Sequence, residues 1–252
     1  MHVLPNLIRT AAEHGQLKCL QYLHSAQRYS LIGCASVAAA SGSLDCLKYV
    51  VDWYKMYNFQ PREQVCIAAA KKGHLHCLEY LREQGYLWDY NVGIAAAAAG
   101  SLPGLQYYHA NGGERHYMVC HAAALNGHLS CLQYAHEDGC PLMPATVTVK
   151  VNKEYKRRFS VSSGVMHLVE QVAQYKHWDC VLYLILQNYP LTLRVTSLLA
   201  RKHKDSLLQL AIERGCALAA DVGVLIAKSG NLDLLKLAMK NGCKLEQVAV
   251  EI

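Results

Sequence analysis

The chain repeats itself in segments such as CIAAAKKGHLHCLEYLREQG, from Cys66 to Gly85, and CHAAALNGHLSCLQYAHEDGCP, from Cys120 to Pro141. In each segment an alanine-rich stretch leads to a glycine, and a second apolar stretch closes at another glycine twelve residues later. Self-similarity at a fixed spacing is typical of repeat architectures. Alignment on the first glycine gives eight copies with a period of 27 residues and insertions of 4 and 22 residues. The anchors are Gly15, Gly42, Gly73, Gly100, Gly127, Lys176, His203 and Gly230.

Each copy predicts a pair of helices joined at its anchor, and positions are numbered here from that anchor. Position −3 is alanine in all eight copies, which indicates that two helices approach too closely for a larger side chain. Positions +2, +4, +5 and +8 are apolar and form one helical face, as in Leu75, Cys77, Leu78 and Leu81. The anchor glycine ends the first helix in the left-handed region. We expect first helices at about 6–14, 33–41, 64–72, 91–99, 118–126, 167–175, 194–202 and 221–229.

The alanine pair before G-H-L, followed by L-x-C-L-x-Y-L and a closing glycine, resembles ankyrin repeats. The period is six residues shorter than the usual 33, as in the compact ankyrin repeats of large DNA viruses and unicellular eukaryotes. GYLWD at Gly85–Asp89 and GCP at Gly139–Pro141 resemble the junctions of that variety. The resemblance implies an all-α, ankyrin-type α-solenoid of about eight helix-turn-helix repeats. It departs from the family in lacking the T-P-L-H opening, so too few residues remain for a projecting hairpin between repeats.

Composition narrows the classes of function. The 252 residues are 52% hydrophobic and 17% charged, which excludes a disordered chain. No apolar run approaches the length of a membrane span and no signal peptide is visible, so we expect no membrane association. The odd number of cysteines, 11, and the absence of glycosylation sequons favour a reducing, intracellular location, cytoplasmic or nuclear. The net charge of +6 alone does not indicate nucleic-acid binding.

The cysteines and histidines predict packing rather than chemistry. Every cysteine lies in a recurrent slot, for example +4 for Cys77 and Cys131, and leucine replaces it in other copies. We therefore expect buried, unliganded thiols, no metal and no cofactor. His74 and His128 share the slot after the anchor, where we expect them to join neighbouring repeats, while His109 belongs to a packed or solvated row at +9. No phosphate-binding loop or nucleophile motif is present, so the chain is predicted not to be an enzyme.

The 22-residue insertion is the one segment that the repeat leaves unexplained. Val147, Val149 and Val151 alternate with polar residues before a turn, which predicts a β-hairpin-like insertion. It is basic, through Lys150, Lys153, Lys156, Arg157 and Arg158. A partner-binding hairpin, a solvated loop and an artefact of the gene model all remain open. The predicted organisation is therefore repeats one to five in 1–139, the insertion in 140–166, and repeats six to eight with a partial terminal helix in 167–252.

These features predict a non-catalytic scaffold that binds an unidentified protein partner through the concave, first-helix face of the solenoid. Partner contacts are expected at positions −1, −2 and −6 and on the insertion. The alternative is a nucleic-acid-associated protein that uses the basic insertion and a Lys/Arg ridge. No capping repeat is visible at either end, so either the ends pack on another surface or the chain is part of a longer ankyrin array. The candidate residues are Glu13, His14, Lys71, Lys72, His121, Asn126, Lys150, Lys156, Arg157, Arg158, Tyr175, Arg201, Lys202 and Lys228.

Overall fold

A computed structural model of the chain describes residues 4–27, 30–59, 64–142 and 168–243. Within these ranges the secondary structure consists of sixteen α-helices without a strand. In chain order they are α1 Leu4–Glu13, α2 Leu17–Gln27, α3 Cys34–Ser41, α4 Leu44–Met56, α5 Gln64–Lys72, α6 Leu75–Glu83, α7 Tyr90–Ala98, α8 Leu102–Ala110, α9 Tyr117–Leu125, α10 Leu129–Glu137, α11 Leu168–Gln174, α12 Trp178–Leu186, α13 Leu193–Arg201, α14 Asp205–Glu213, α15 Val222–Ser229 and α16 Leu232–Lys240.

The eight predicted helix pairs are confirmed, and the first helices begin and end within two residues of the expected positions. The chain divides into two compact units, Met1–Leu142 and Met143–Ile252. The first unit contains the five pairs α1 to α10, and the second contains the three pairs α11 to α16. None of the described helices combines the length and apolarity that crossing a membrane requires.

Consecutive pairs stack in the same way within each unit. In the first unit α1, α3, α5, α7 and α9 pack side by side, and α2, α4, α6, α8 and α10 form a second row. In the second unit α11, α13 and α15 form one row and α12, α14 and α16 the other. Each first helix also packs on the second helix of its own pair. The apolar faces of helices too short to be stable alone are thereby buried against neighbours.

The alanine slot at −3 lies in the contact between first helices. Ala12, Ala39, Ala70, Ala97 and Ala124 of the first unit are all fully buried. Ala227 in the last pair is exposed, and no described repeat follows it. The slot therefore faces the following repeat, which is why a larger side chain does not fit in it.

The cysteine slot at +4 faces the preceding repeat. Cys46, Cys77, Cys131 and Cys180 are buried, as expected. The expectation was wrong for Cys19, which is exposed, because no described repeat precedes its helix. All eleven cysteines are free thiols.

The predicted left-handed turns are also confirmed, including the two without glycine. Gly42, Gly73 and Gly100 have φ of 76°, 72° and 70°. Lys176 and His203 adopt φ of 64° and 50° at the same slot, a conformation that disfavours a side chain. The predicted hairpin and the partial terminal helix lie outside the described residues.

Candidate functional site

The residues predicted to contact a partner are distributed over both units. In the first unit Glu13, His14, Lys71 and Lys72 are exposed at the carboxyl ends of α1 and α5. Asn126 is half-buried, and its side-chain amide donates to the carbonyl of Ala122 at 2.7 Å. The side chain of Asn126 thus provides a hydrogen-bond donor to a backbone carbonyl at the end of its own helix.

His121 is the clearest departure from the predicted surface, because it is buried. At 3% exposed it is enclosed by the first unit, although Arg9 at the same position −6 is exposed. Burial lowers the pKa of His121 to about 4, so its ring is neutral at physiological pH. His121 belongs to the core of the first unit and is not a contact residue.

In the second unit Tyr175, Lys202 and Lys228 are exposed, and Arg201 borders a cleft. The cleft has a volume of about 450 Å³ and opens between α11, α13 and the link that precedes α15. Its lining combines charged, polar and leucine side chains. The lining residues are Glu170, Gln174, Leu193, Arg194, Ser197, Leu198, Arg201, Ala219 and Asp221.

Asp221 anchors one side of the cleft. Its carboxylate accepts hydrogen bonds from the Ser197 hydroxyl at 2.7 Å and from the Arg201 guanidinium at 2.8 Å. Burial raises the pKa of Asp221, but these two hydrogen bonds, the positive charge of Arg201 and a backbone hydrogen bond together outweigh that effect and hold the pKa below its usual value. The Arg201 side chain is nevertheless 62% exposed, so its remaining N–H groups are available to a ligand.

Glu170 and Arg194 form the opposite side. The side chain of Glu170 is 7% exposed, and its Oε1 lies 3.4 Å from Nη1 of Arg194. The Arg194 side chain is 81% exposed, so its guanidinium extends into solvent at the cleft. The cleft therefore presents two exposed guanidinium groups, of Arg194 and Arg201, beside the exposed side chain of Leu193.

Of the candidate residues predicted from the sequence, only Arg201 lines this cleft. Arg194 and Asp221 were missed because both lie at position −9, which was not among the slots assigned to the surface. The same slot carries Asn6, Gln64 and Asn91, so its recurrent polarity was a usable signal. Glu170 and Ser197 lie at −6, the slot that also holds His121.

The basic candidates of the insertion, Lys150, Lys156, Arg157 and Arg158, lie outside the described residues. Over the ranges that the structure does describe, no three His, Cys, Asp or Glu side chains are grouped so that they could hold a metal ion.

No protein-family model and no curated protein matches the chain. Among solved structures it is similar to the human ASB11 ankyrin repeat domain, with 18% sequence identity over 84% of this chain and 85% of that one, at a TM-score of 0.42. The likeness is too distant to carry an argument about function. The helix pairing within each unit is what defines the fold: the described residues form all-α helix-turn-helix repeats that stack in two rows.

Proposed function

We propose that the chain is a non-catalytic interaction protein that binds a protein partner through the surface of its first helices. The observation that carries the proposal is the cleft of the second unit, which is open, charged and bordered by exposed guanidinium groups. Helical repeats bury one face of each helix in the stack and leave the loops and helix ends for binding. The free thiols favour an intracellular location, in the cytoplasm or the nucleus.

The chemistry of the cleft favours an acidic segment with a neighbouring apolar side chain. Arg194 and Arg201 offer planar groups that bind carboxylates in a bidentate manner. Exposed Leu193 provides apolar area beside them. A carboxylate of the partner has to compete with Asp221 for Arg201. Because exposed ion pairs contribute little stability, breaking the Arg201–Asp221 pair costs little free energy.

The exposed lysines extend this basic surface. Lys202 follows Arg201 at the end of α13, and Lys228 lies at the corresponding end of α15. In the first unit Lys71 and Lys72 occupy the same slots at the end of α5, and Glu13 and His14 lie at the end of α1. We propose that these residues also contact the partner, each unit through the ends of its own first helices. Charges at such a rim steer association more than they add affinity.

Site-specific photo-crosslinking tests where the partner binds. A photoreactive amino acid at Leu193 is expected to capture a partner in cells, whereas the same group at Leu232 is not. Leu232 is the matched control, since it is an exposed leucine of the same unit but lies on the second helix α16. Equal capture at both positions would show that the cleft is not the contact surface.

Charge reversal then tests the chemistry on the purified partner. Arg194→Glu with Arg201→Glu is expected to weaken binding by about tenfold or more. Lys236→Glu with Lys240→Glu applies the same charge change to exposed positions on α16 and is expected to leave binding unchanged. Unchanged affinity in the arginine variant would contradict an acidic partner segment.

The competing function is nucleic-acid binding through the insertion and the lysine-rich helix ends. It predicts an affinity for RNA or DNA that falls steeply as salt rises, with a slope set by the number of phosphate contacts. Fluorescence anisotropy with labelled oligonucleotides distinguishes the two. Tight binding that depends on Lys150, Lys156, Arg157 and Arg158 would favour this second function.

A further inference from the structure

The last pair of the first unit contains a buried group of reactive side chains. Cys140 lies in the turn that follows α10, and Asp138 lies two residues before it in the same turn. His109 comes from the end of α8, in the preceding pair, and Cys120 from α9. Cys140, Cys120 and His109 are all buried. Stacking of the two pairs therefore brings together four residues that are distant in sequence.

The geometry within the group is that of a nucleophile, a base and an orienting carboxylate. Nε2 of His109 lies 3.7 Å from Sγ of Cys140. On the other side of the ring, Nδ1 lies 2.8 Å from Oδ2 of Asp138, although the two atoms are not aligned for a hydrogen bond. Arg115 holds Asp138 from outside, with Nε 3.1 Å from the same oxygen. The ring of His109 thus directs Nε2 toward the sulfur and Nδ1 toward the carboxylate.

Cys120 provides the second thiol. Its Sγ lies 3.5 Å from the carbonyl oxygen of Cys140, which places the two cysteines side by side in the same buried group. The thiol of Cys120 and the ring of His109 lower the pKa of Cys140, whereas that same contact and burial raise the pKa of Cys120. Cys140, which the ring of His109 contacts, is thus the attacking thiol of the pair, and Cys120 is the neighbouring thiol that can resolve its oxidised form.

The other buried thiols of this unit have no such surroundings. Burial raises the pKa of Cys77 and of Cys131 to about 11. Position −7 faces position +13 within a repeat, and only repeat five has cysteine at both. The equivalent pairs are Cys66 with Tyr86 and Thr196 with Cys216. The two-thiol arrangement is therefore peculiar to Cys120 and Cys140 and is not a consequence of the repeat.

We propose that Cys140 and Cys120 form a peroxide-sensitive thiol pair in which His109, held between Asp138 and Cys140, acts as the base for the sulfur of Cys140. The oxidant is hydrogen peroxide or another small hydroperoxide. The product is a Cys120–Cys140 disulfide, which ties the turn after α10 to α9. The reaction is a stoichiometric modification, consistent with a non-catalytic protein.

The reaction proceeds in two balanced steps. In the first, the sulfur of Cys140 attacks one peroxide oxygen, the O–O bond breaks, and the leaving hydroxide takes the proton held by His109 to become water. Cys140 is then a sulfenic acid. In the second step, the sulfur of Cys120 attacks the sulfur of Cys140, the S–O bond breaks, and the leaving hydroxide takes the thiol proton of Cys120. Two thiols lose two electrons, and the peroxide is reduced to two waters.

The turn that carries Cys140 borders solvent on both sides of the buried thiol. Gly139 and Pro141 are exposed on either side of buried Cys140. Local opening of a surface turn costs much less free energy than global unfolding. The groups that face His109 and bear on its protonation are Asp138 and Tyr134 from α10 and its turn, Cys140, Arg115 from the link, and Tyr108 on its own helix.

The test is oxidation of the reduced full-length chain with hydrogen peroxide, followed by blocking of free thiols and peptide mass spectrometry. The expected product is a Cys120–Cys140 disulfide, while Cys77 and Cys131 remain free. In Cys120→Ser the sulfenic acid on Cys140 has no resolving thiol and should be trapped by dimedone. If Cys140 stays reduced while exposed Cys19 is oxidised, burial prevents the reaction and the proposal is wrong.

The role of His109 has its own readout. His109→Gln is expected to slow alkylation of Cys140 by iodoacetamide about tenfold at neutral pH, because the thiolate fraction falls. The midpoint of the pH–rate profile should move upward. Asp138→Asn should shift the profile in the same direction by a smaller amount. A profile unchanged in both variants would assign His109 and Asp138 a packing role only. Circular dichroism confirms that each variant is folded.

Discussion

A glycine and a histidine from consecutive repeats fit together and join those repeats. A side chain at Gly42 would place its Cβ 2.7 Å from the imidazole of His74, and Nε2 of His74 donates to the carbonyl of Ala40 at 3.2 Å. His128 makes the same contact with Gly100 and the carbonyl of Ala98. The predicted joining role of these histidines is confirmed. The glycine is needed both for the left-handed turn and because the histidine ring occupies the position that a Cβ atom would take.

Two alanine substitutions separate these requirements. Gly73→Ala should cost about 1–2 kcal/mol, because Gly73 has the left-handed φ of 72° but only an ordinary contact with Ser101 at 3.5 Å. Gly42→Ala should cost about 1–3 kcal/mol more, since the new methyl displaces the ring of His74 and breaks its hydrogen bond. Urea unfolding measures both. Equal losses would mean that the ring of His74 moves aside freely.

Burial of His121 predicts a pH dependence of stability. Its pKa falls from 6.5 to about 4 on folding, so between these values the unfolded chain binds a proton that the folded chain does not. The free energy of unfolding is therefore unaffected by this group above pH 6.5. It decreases as the pH falls toward 4, by about 3 kcal/mol in all. Urea unfolding at pH 7 and at pH 4.5 measures this loss of stability, and His121→Gln should remove the contribution of His121 to the difference between the two values. The exposed control His14→Gln should retain it.

At the scale of the helix, the alanine at −3 sets the spacing of the first row. Ala97 is fully buried between α7 and its neighbours, whereas Ala227 occupies the same slot on α15 and is exposed. The slot is therefore a packing requirement only where a repeat follows.

Leucine at these two positions tests that reading. Ala97→Leu should destabilise the chain by about 1–3 kcal/mol, because the added atoms have no space between adjacent helices. Ala227→Leu should change the free energy of unfolding by less than about 0.5 kcal/mol. Thermal unfolding followed by circular dichroism gives both values. A melting temperature preserved in Ala97→Leu would show that the first helices can separate at little cost.

The periodicity predicted the helices, their boundaries and the anchor turns, because each depends on residues close in sequence. It could not predict which neighbour each slot faces, so Cys19 was expected to be buried. The assumed exposure of position −6 failed at His121 for the same reason, since burial there depends on the side chains of adjacent repeats. The cleft depends on Arg194 and Asp221 from different repeats, and the Cys120–Cys140 group depends on His109 from yet another. Which of these residues come into contact depends on how consecutive repeats pack, and the periodicity of one chain does not specify that.

At the scale of the whole chain, the two units are separated at the insertion. The first ends at Leu142, and the described part of the second begins at Leu168 with α11, where the repeat register resumes. Leu168 and Ala173 are both buried in their expected slots. The described helices of each unit therefore pair with helices of the same unit.

Removing part of the insertion should consequently leave the folded repeats intact. Replacing Thr146–Phe159 by a short Gly-Ser link shortens a connection, and closure entropy depends only weakly on loop length. We expect unchanged helix content and a cooperative unfolding transition close to that of the full chain, measured by circular dichroism. Deletion of the equally long segment Ala97–Ala110 removes all of α8 and the end of α7 and should abolish cooperative unfolding of the first unit. If the shortened chain binds its partner as well as the full chain, Lys150, Lys156, Arg157 and Arg158 are excluded from the contact surface. Loss of folding in the first deletion would instead place the insertion in the core, and the sixth repeat would have to begin elsewhere.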